Sequence, residues 1–312
     1  VSDPDPPFRS GFVSLVGRPN VGKSTLLNRL VGTKVSIVSD RPQTTRTEVR
    51  GVRTTPSEQI VFLDTPGIHK PRTLLGERCN ERSLATLEHV DVVCFLLDAS
   101  GAIGPGDRFI AGQLAGIETP TVLVVNKVDA ASRPDVARRL SGAAELGDFD
   151  AFVPLSARTG DGVDALLDEL VARLPEGPRY YPDDVVSDQP EAFLVAELVR
   201  EKLLAVARDE LPHSIAVTAE PLEPTEEAED VDDGDDADAR EPVLVYRVVV
   251  QVERDSQKGI VIGRRGAVLK QAGTEARHEL EALLGARVYL DTVVRVERDW
   301  QRRVHALDRL GL

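Results

Sequence analysis

Short, predominantly apolar runs alternate with stretches of helical spacing over residues 11–174. Residues 13–16, 60–63, 92–97, 122–125 and 152–155 read as buried strands. Leu26, Leu27 and Leu30, and again Leu166, Leu167 and Leu170, recur at the spacing of one helix face. The alternation predicts an α/β domain with a mainly parallel central sheet and helices on both faces. Residues 175–190, rich in Pro, Asp and Tyr, read as a linker. A second unit follows: a helix over 191–209, a strand near 214–218, a strong strand over 243–252, a helix-turn-helix over 256–284 and a strand over 286–296. The predicted layout is an unstructured start (1–10), an α/β domain (11–176), a linker (177–190) and a smaller α+β domain (191–312).

With 41% hydrophobic and 29% charged residues, 312 residues suffice for two buried cores, and no apolar run reaches the length of a bilayer span. The polar, Pro-rich opening does not read as a secretory leader. Cys79 and Cys94 have no metal-like neighbours and suit inert thiols in a reducing, cytoplasmic setting. The net charge of −14 argues at first against a nucleic-acid partner. Residues 220–241, however, hold twelve carboxylates against Arg240 alone and carry −11, leaving −3 for the other 290 residues. Such a segment buries too little apolar surface to offset its ordering entropy, so a disordered acidic insertion is expected.

Gly17-Arg18-Pro19-Asn20-Val21-Gly22-Lys23-Ser24 fits G-x-x-x-x-G-K-[ST], and it sits between a strand pattern and a helical one that begins with Ser24 and Thr25. The glycines let backbone N–H groups turn inward, Lys23 can reach the outer phosphates, and the Ser24 hydroxyl can ligate Mg²⁺. Three further segments end predicted strands, where open α/β sheets place ligands. In Asp64-Thr65-Pro66-Gly67 the carboxylate can hold Mg²⁺ through its water shell and the Gly67 N–H can approach a γ-phosphate. In Asn126-Lys127-Val128-Asp129 the last carboxylate can accept both the ring N–H and the exocyclic amine of guanine, with Lys127 along the base. Ser156-Ala157 can offer backbone N–H to the guanine oxygen. Between them, Pro42-Gln43-Thr44-Thr45-Arg46 supplies the hydroxyls of Thr44 and Thr45 for the metal.

In the second unit, residues 257–270 place a G-x-x-G turn between two helical apolar patterns. Gly263 and Gly266 permit close approach of a sugar-phosphate backbone, and Arg264 and Arg265 between them add charge. Lys258, Ile262 and Lys270 flank the turn. This resembles the KH arrangement, which implies a clamp on about four single-stranded nucleotides beside an apolar groove. Residues 251–312 hold twelve Lys or Arg against nine acids, so binding should rest on a local basic loop. Trp300 is placed either on a base or against Val296 and Val304.

The first set of motifs, in this straight order, resembles the translation-factor class of P-loop GTPases, not the circularly permuted ones. That resemblance implies hydrolysis of GTP to GDP with Mg²⁺, catalytic contributions from Lys23, Thr44, Thr45 and Gly67, and mobile segments over 35–46 and 64–76. Ile68 stands where Ras-like proteins carry a water-orienting Gln, so hydrolysis should be intrinsically slow. In the related TrmE-Era-EngA-septin class an Asn at the position of Asn20 ligates K⁺ in place of an arginine finger. The resemblance passes this role to Asn20, with Arg46 as the other source of charge. Together with P-Q-T-T-R, D-T-P-G-I-H, N-K-V-D, Glu210-Leu211-Pro212-His213-Ser214 and I-G-R-R-G, the chain resembles the Era family of bacterial GTPases over nearly its whole length. The acidic insertion is longer than that family's usual turn. The likeness implies a type II KH domain and a cytoplasmic, monomeric factor in 30S ribosomal subunit assembly. Its KH domain would bind the 3′ end of 16S rRNA under control of the GTPase state. Two other readings are a nucleotide-gated RNA clamp with incidental hydrolysis and a septin-like GTPase on membranes. Peripheral membrane association is attributed to the family, but no basic amphipathic helix supports it here.

Overall fold

The computed structural model describes residues 7–41, 44–206, 214–223 and 243–312. Two compact units result, one running to Asp188 and the other over Gln189–Gly311.

The first unit is built on strands β1 (Arg9–Gly17), β2 (Val49–Thr54), β3 (Glu58–Asp64), β4 (Val92–Asp98), β5 (Thr121–Asn126) and β6 (Ala151–Pro154). Their order in the sheet is β2-β3-β1-β4-β5-β6. All neighbours are parallel except β2, which runs antiparallel to β3. Helices α1 (Lys23–Val31), α2 (Leu74–Thr86), α3 (Pro105–Leu114), α4 (Arg133–Ala144) and α5 (Val163–Arg173) connect them. Because β4 and β5 are covered on both faces, they are apolar at nearly every position, as parallel strands require. Phe95, Leu97, Leu123 and Val125 join Val16, Leu63 and Ile110 in one core. Each predicted strand is present; β1 begins at Arg9, inside the stretch expected to be unstructured.

The edge strand β2 was not predicted. Its sequence, VRGVRT, carries two arginines and no long apolar run, because only one face is covered. The Pro-rich stretch expected as a linker lies along this edge. Val52 N–H donates to the Val186 carbonyl at 2.8 Å, the Gln59 side chain bonds the backbone of Tyr180 and Tyr181, and Arg50 pairs with Asp188 at 3.2 Å.

The second unit contains α6 (Glu191–Val206), β7 (Ala216–Leu222), β8 (Val243–Val252), α7 (Asp255–Ile262), α8 (Ala267–Leu284), β9 (Arg287–Val296) and α9 (Val304–Arg309). The sheet order is β7-β8-β9, antiparallel then parallel. Helices α6 and α8 pack together, burying Val195, Leu198, Val199 and Leu203 with Ala272, Ala276 and Leu280. Of the acidic insertion expected over 220–241, the first residues continue β7 to Leu222, and 224–241 lie outside the described residues, as do Pro42, Gln43 and 210–213. Trp300 is fully buried and its Nε1 donates to the Ser214 carbonyl at 3.0 Å. It is a core residue of this unit, which corrects the reading that stacks it on a base. No described helix is long and apolar enough to cross a membrane.

Candidate nucleotide and RNA sites

The loop between β1 and α1 closes around Lys23, whose side chain is buried beneath it. Gly22 takes φ 97° to start the helix, and a Cβ there would lie 2.4 Å from Asn126 Nδ2, so only glycine fits. Lys23 Nζ lies 3.3 Å from the Arg18 carbonyl and 3.4 Å from that of Gly17, both long contacts. Burial lowers its pKa, and the Asp64 carboxylate opposes that shift. Arg18 turns outward to pair with the buried Asp107 on α3 at 2.8 Å, so its side chain braces the loop from behind.

Asp64, at the end of β3, is buried beside this loop. Its Oδ2 accepts hydrogen bonds from Ser24 Oγ at 2.6 Å, Ser36 Oγ at 3.0 Å and Thr45 Oγ1 at 3.2 Å, while Ser24 and Thr45 lie 3.0 Å apart. Its Oδ1 is buried and accepts no hydrogen bond among the described residues. Burial raises its pKa, against the pull of Lys23 and the three hydroxyls. One carboxylate and two hydroxyls are a hard-oxygen set of the kind that Mg²⁺ completes with phosphate and water, and the unsatisfied Oδ1 fits such an ion's shell. Of the two threonines expected at the metal, Thr45 joins this cluster. Thr44 instead donates to the Arg41 carbonyl at 2.8 Å. Ser36 was not foreseen; the only sequence signal was its place at the start of the segment read as mobile.

Thr65 and Pro66 shape the next loop from within. Thr65 Oγ1 donates to the Leu15 carbonyl at 2.9 Å and the Pro66 carbonyl accepts from Ser83, so neither Thr65 Oγ1 nor the Pro66 carbonyl is directed to a ligand. The Ile68 N–H donates to the Gly17 carbonyl at 3.2 Å, holding Gly67 against the phosphate loop. The Ile68 side chain is buried in the core. Pro19, Asn20, Gly22, Lys23, Ser24, Thr25 and Gly67 form one wall of a cavity whose other wall is Ile37, Val38, Ser39, Thr44 and Thr45. It holds about 50 Å³, far less than a nucleotide-sized pocket, so its two walls as they stand leave no room for a nucleotide. A roomier cavity of about 660 Å³ lies between the loop after β4 and helix α4, where Ala99, Arg108 and Arg139 line it, and contains none of these residues.

At the end of β5, the Asn126 amide is buried. Its Nδ2 donates to the Val21 carbonyl at 2.8 Å, and its Oδ1 accepts the N–H of Lys127 at 2.8 Å and of Ala157 at 3.0 Å. Lys127 Nζ bridges the Asn20 carbonyl at 2.6 Å and Asp98 Oδ2 at 2.7 Å. Asp98, which closes β4, is a partner that sequence reasoning missed. Asp129 accepts the Ser156 hydroxyl at 2.6 Å and a guanidinium N–H of Arg158. The Ser156 bond, and then the charge of Arg158, hold its carboxyl below the ordinary range. The N–H groups of Ser156 and Ala157, expected to meet guanine, already donate to the Asp161 carbonyl and to Asn126. In this structure the pair ties the loop after β6 to Asn126 and Asp129.

In the second unit, Gly263 (φ 74°), Arg265 (φ 55°) and Gly266 (φ 80°) make the turn between α7 and α8, with Arg264 and Arg265 both exposed. Gly266 and Lys270 line a groove of about 460 Å³ between α8 and β9. Lys258 and Ile262 lie on α7 and do not line it. Leu269, Gly273 and Arg277 do, at helical spacing along α8, as do Tyr289 and Leu290 of β9.

Comparison with known proteins gives both units relatives. The family model described as 50S ribosome-binding GTPase matches residues 12–127, and the KH domain model matches 243–301. GTPase Era of Nocardioides sp. (strain ATCC BAA-499 / JS614) is 51% identical over 316 residues, covering 99% of this chain and 98% of that protein. GTPase Era of Mycobacterium sp. (strain KMS) is 49% identical, covering 97% and 99%. An Aquifex aeolicus Era variant bound to GDP·AlF4⁻ superposes with TM-score 0.89 at 37% identity, covering 97% of this chain and 99% of that one. Era in complex with MgGDPNP and nucleotides 1506–1542 of 16S ribosomal RNA does so with TM-score 0.88 at 38% identity, with the same coverage. With half its residues shared with curated relatives from end to end, and with both units matched, the chain belongs to the Era family of GTPases.

Proposed function

We propose that this protein binds and hydrolyses GTP to GDP and binds the 3′ region of 16S rRNA through its KH domain, as a cytoplasmic monomer acting in 30S subunit assembly. The observation that carries the reading is the convergence of Lys23, the Asp64 hydroxyl cluster and the Asn126 anchor at one end of the sheet, in a chain that also has the G-x-x-G turn. The likeness to the Era structure holding MgGDPNP and 16S rRNA supports both halves.

Each residue has a role that follows from its position. Lys23 and the N–H groups of residues 17–24 hold the phosphates; its buried ammonium gains a partner when they arrive. Ser24 and Thr45 would ligate Mg²⁺ and Asp64 would hold it through water, with Thr44 moving from Arg41 as the segment opens. Bound Mg²⁺ would neutralise charge on the phosphate oxygens. Asn126 fixes the loops around the base and Asp129 accepts from guanine. Asn20 commits its Nδ2 to the Asp40 carbonyl at 2.7 Å, which leaves Oδ1 as an oxygen donor suited to K⁺. In the second unit Arg264, Arg265, Lys258 and Lys270 meet phosphates and Ile262 offers apolar contact to bases.

The burial of Ile68 favours a second reading, a GTP-gated RNA clamp whose hydrolysis is incidental. Single-turnover hydrolysis with and without a 16S 3′-end oligonucleotide separates them. The proposed function requires faster turnover with RNA, and an unchanged rate selects the clamp.

A further inference from the structure

Helix α1 does more than end the phosphate loop. One turn after Ser24, Asn28 makes three hydrogen bonds to two successive residues: Oδ1 accepts the N–H of Val35 and of Ser36, each at 2.9 Å, and Nδ2 donates to the Ser36 carbonyl at 2.7 Å. Val35 and Ile37 are buried on either side. Residues 35–36 are therefore pinned to α1, although they begin the segment 35–46 that the sequence reads as mobile. The pinning delivers the buried Ser36 hydroxyl to Asp64 Oδ2 at 3.0 Å.

Three hydroxyls share that oxygen here. When Ser24 and Thr45 each give an oxygen lone pair to Mg²⁺, as the proposed function has it, the direction of their protons is tied to the ion, and Ser36 is the donor of the three whose bond to the buried Oδ2 does not depend on the metal. We infer that Ser36, held in place by Asn28, is a positioning residue for the metal-binding carboxylate. It keeps Oδ2 occupied and so aims the open Oδ1 at the ion's water shell. Outer-shell partners of this kind fix ligand orientation and commonly change metal affinity 10–100-fold when removed.

The test is release of N-methylanthraniloyl-GDP from the full-length protein across a Mg²⁺ titration and in EDTA. Wild type should release faster as Mg²⁺ is removed. Ser36→Ala should raise the Mg²⁺ concentration for half-maximal retention about tenfold or more while leaving the EDTA rate at the wild-type value. Asn28→Ala, which leaves Ser36 itself in place, should shift the midpoint the same way, and the double variant should go no further than Ser36→Ala. A wild-type midpoint in either single variant, or additive shifts in the double, overturns the inference while leaving the GTPase reading intact. Release from wild type that ignores Mg²⁺ overturns the Mg²⁺ assignment at Asp64 and the inference with it.

Discussion

Asn126 Nδ2 donates to the Val21 carbonyl at 2.8 Å, so the end of β5 and the phosphate loop are fixed to each other by one buried amide. The same side chain accepts from Ala157, tying in the loop after β6. Asn126→Ala leaves the Val21 carbonyl and the Ala157 N–H unpaired, at about 1–3 kcal/mol each. Titration with fluorescent GDP should show affinity lowered at least tenfold. Wild-type affinity would mean the three loops hold their places without the amide.

Lys23 separates nucleotide binding from folding. Its contacts are long, and burial disfavours its charge, so Lys23→Ala should leave the melting temperature of the nucleotide-free protein unchanged or slightly higher. Added GDP, which should raise the wild-type melting temperature by mass action, should not move that of the variant.

Asp129 titrates below the ordinary carboxylate range, because the ionised form is favoured by Ser156 and Arg158. Its folded pKa is depressed, so its contribution is present above the ordinary value and is lost only as pH falls through the lowered one. Inosine diphosphate lacks the exocyclic amine. The ratio of GDP to inosine diphosphate affinity should therefore hold constant between pH 7 and pH 5. A ratio that collapses in that window assigns guanine selection to another group.

Burial pushes the Cys94 thiol up to about 12, and Cys79 is buried in α2. Neither thiol should react with an aromatic disulfide reagent at pH 8 in the native protein, and both should react in denaturant. Fast native labelling would show that the first core opens readily.

The strands and the residues at their ends were legible because a buried parallel sheet writes itself as apolar runs and a phosphate loop needs glycine and lysine at fixed spacing. What was not legible depends on pairings across the chain. Strand β2 is coded by two arginines at a sheet edge, and Ser36 meets Asp64, 28 residues away. Asp98 matters because it meets Lys127, 29 residues away. Trp300 was ambiguous for the same reason: its partner, Ser214, is 86 residues away. The engagement of the Ala157 N–H by Asn126 likewise belongs to the folded loops alone.

Gly263 shows how the turn between α7 and α8 constrains its own mutagenesis. It has φ 74°, and a Cβ there would lie 2.5 Å from Val268 Cγ2 and 2.9 Å from the Val268 backbone N. Gly263→Asp should therefore lower the stability of the second unit as well as RNA affinity, seen as a reduced melting temperature. Wild-type stability in that variant would mean the turn can relax away from Val268.

Arg264 and Arg265 are exposed and free of that constraint, so they give the most direct measurement. A 16S rRNA 3′-end oligonucleotide is titrated onto the protein loaded with a non-hydrolysable GTP analogue or with GDP, in wild type and in Arg264→Ala/Arg265→Ala. Wild type should bind RNA more tightly in the analogue-loaded form. The variant should lose about tenfold or more of that affinity, with a salt dependence shallower by about one unit for each phosphate contact removed and with unchanged GDP binding. Equal RNA affinity in both nucleotide states, or in variant and wild type, would contradict a GTPase that controls RNA binding through this turn.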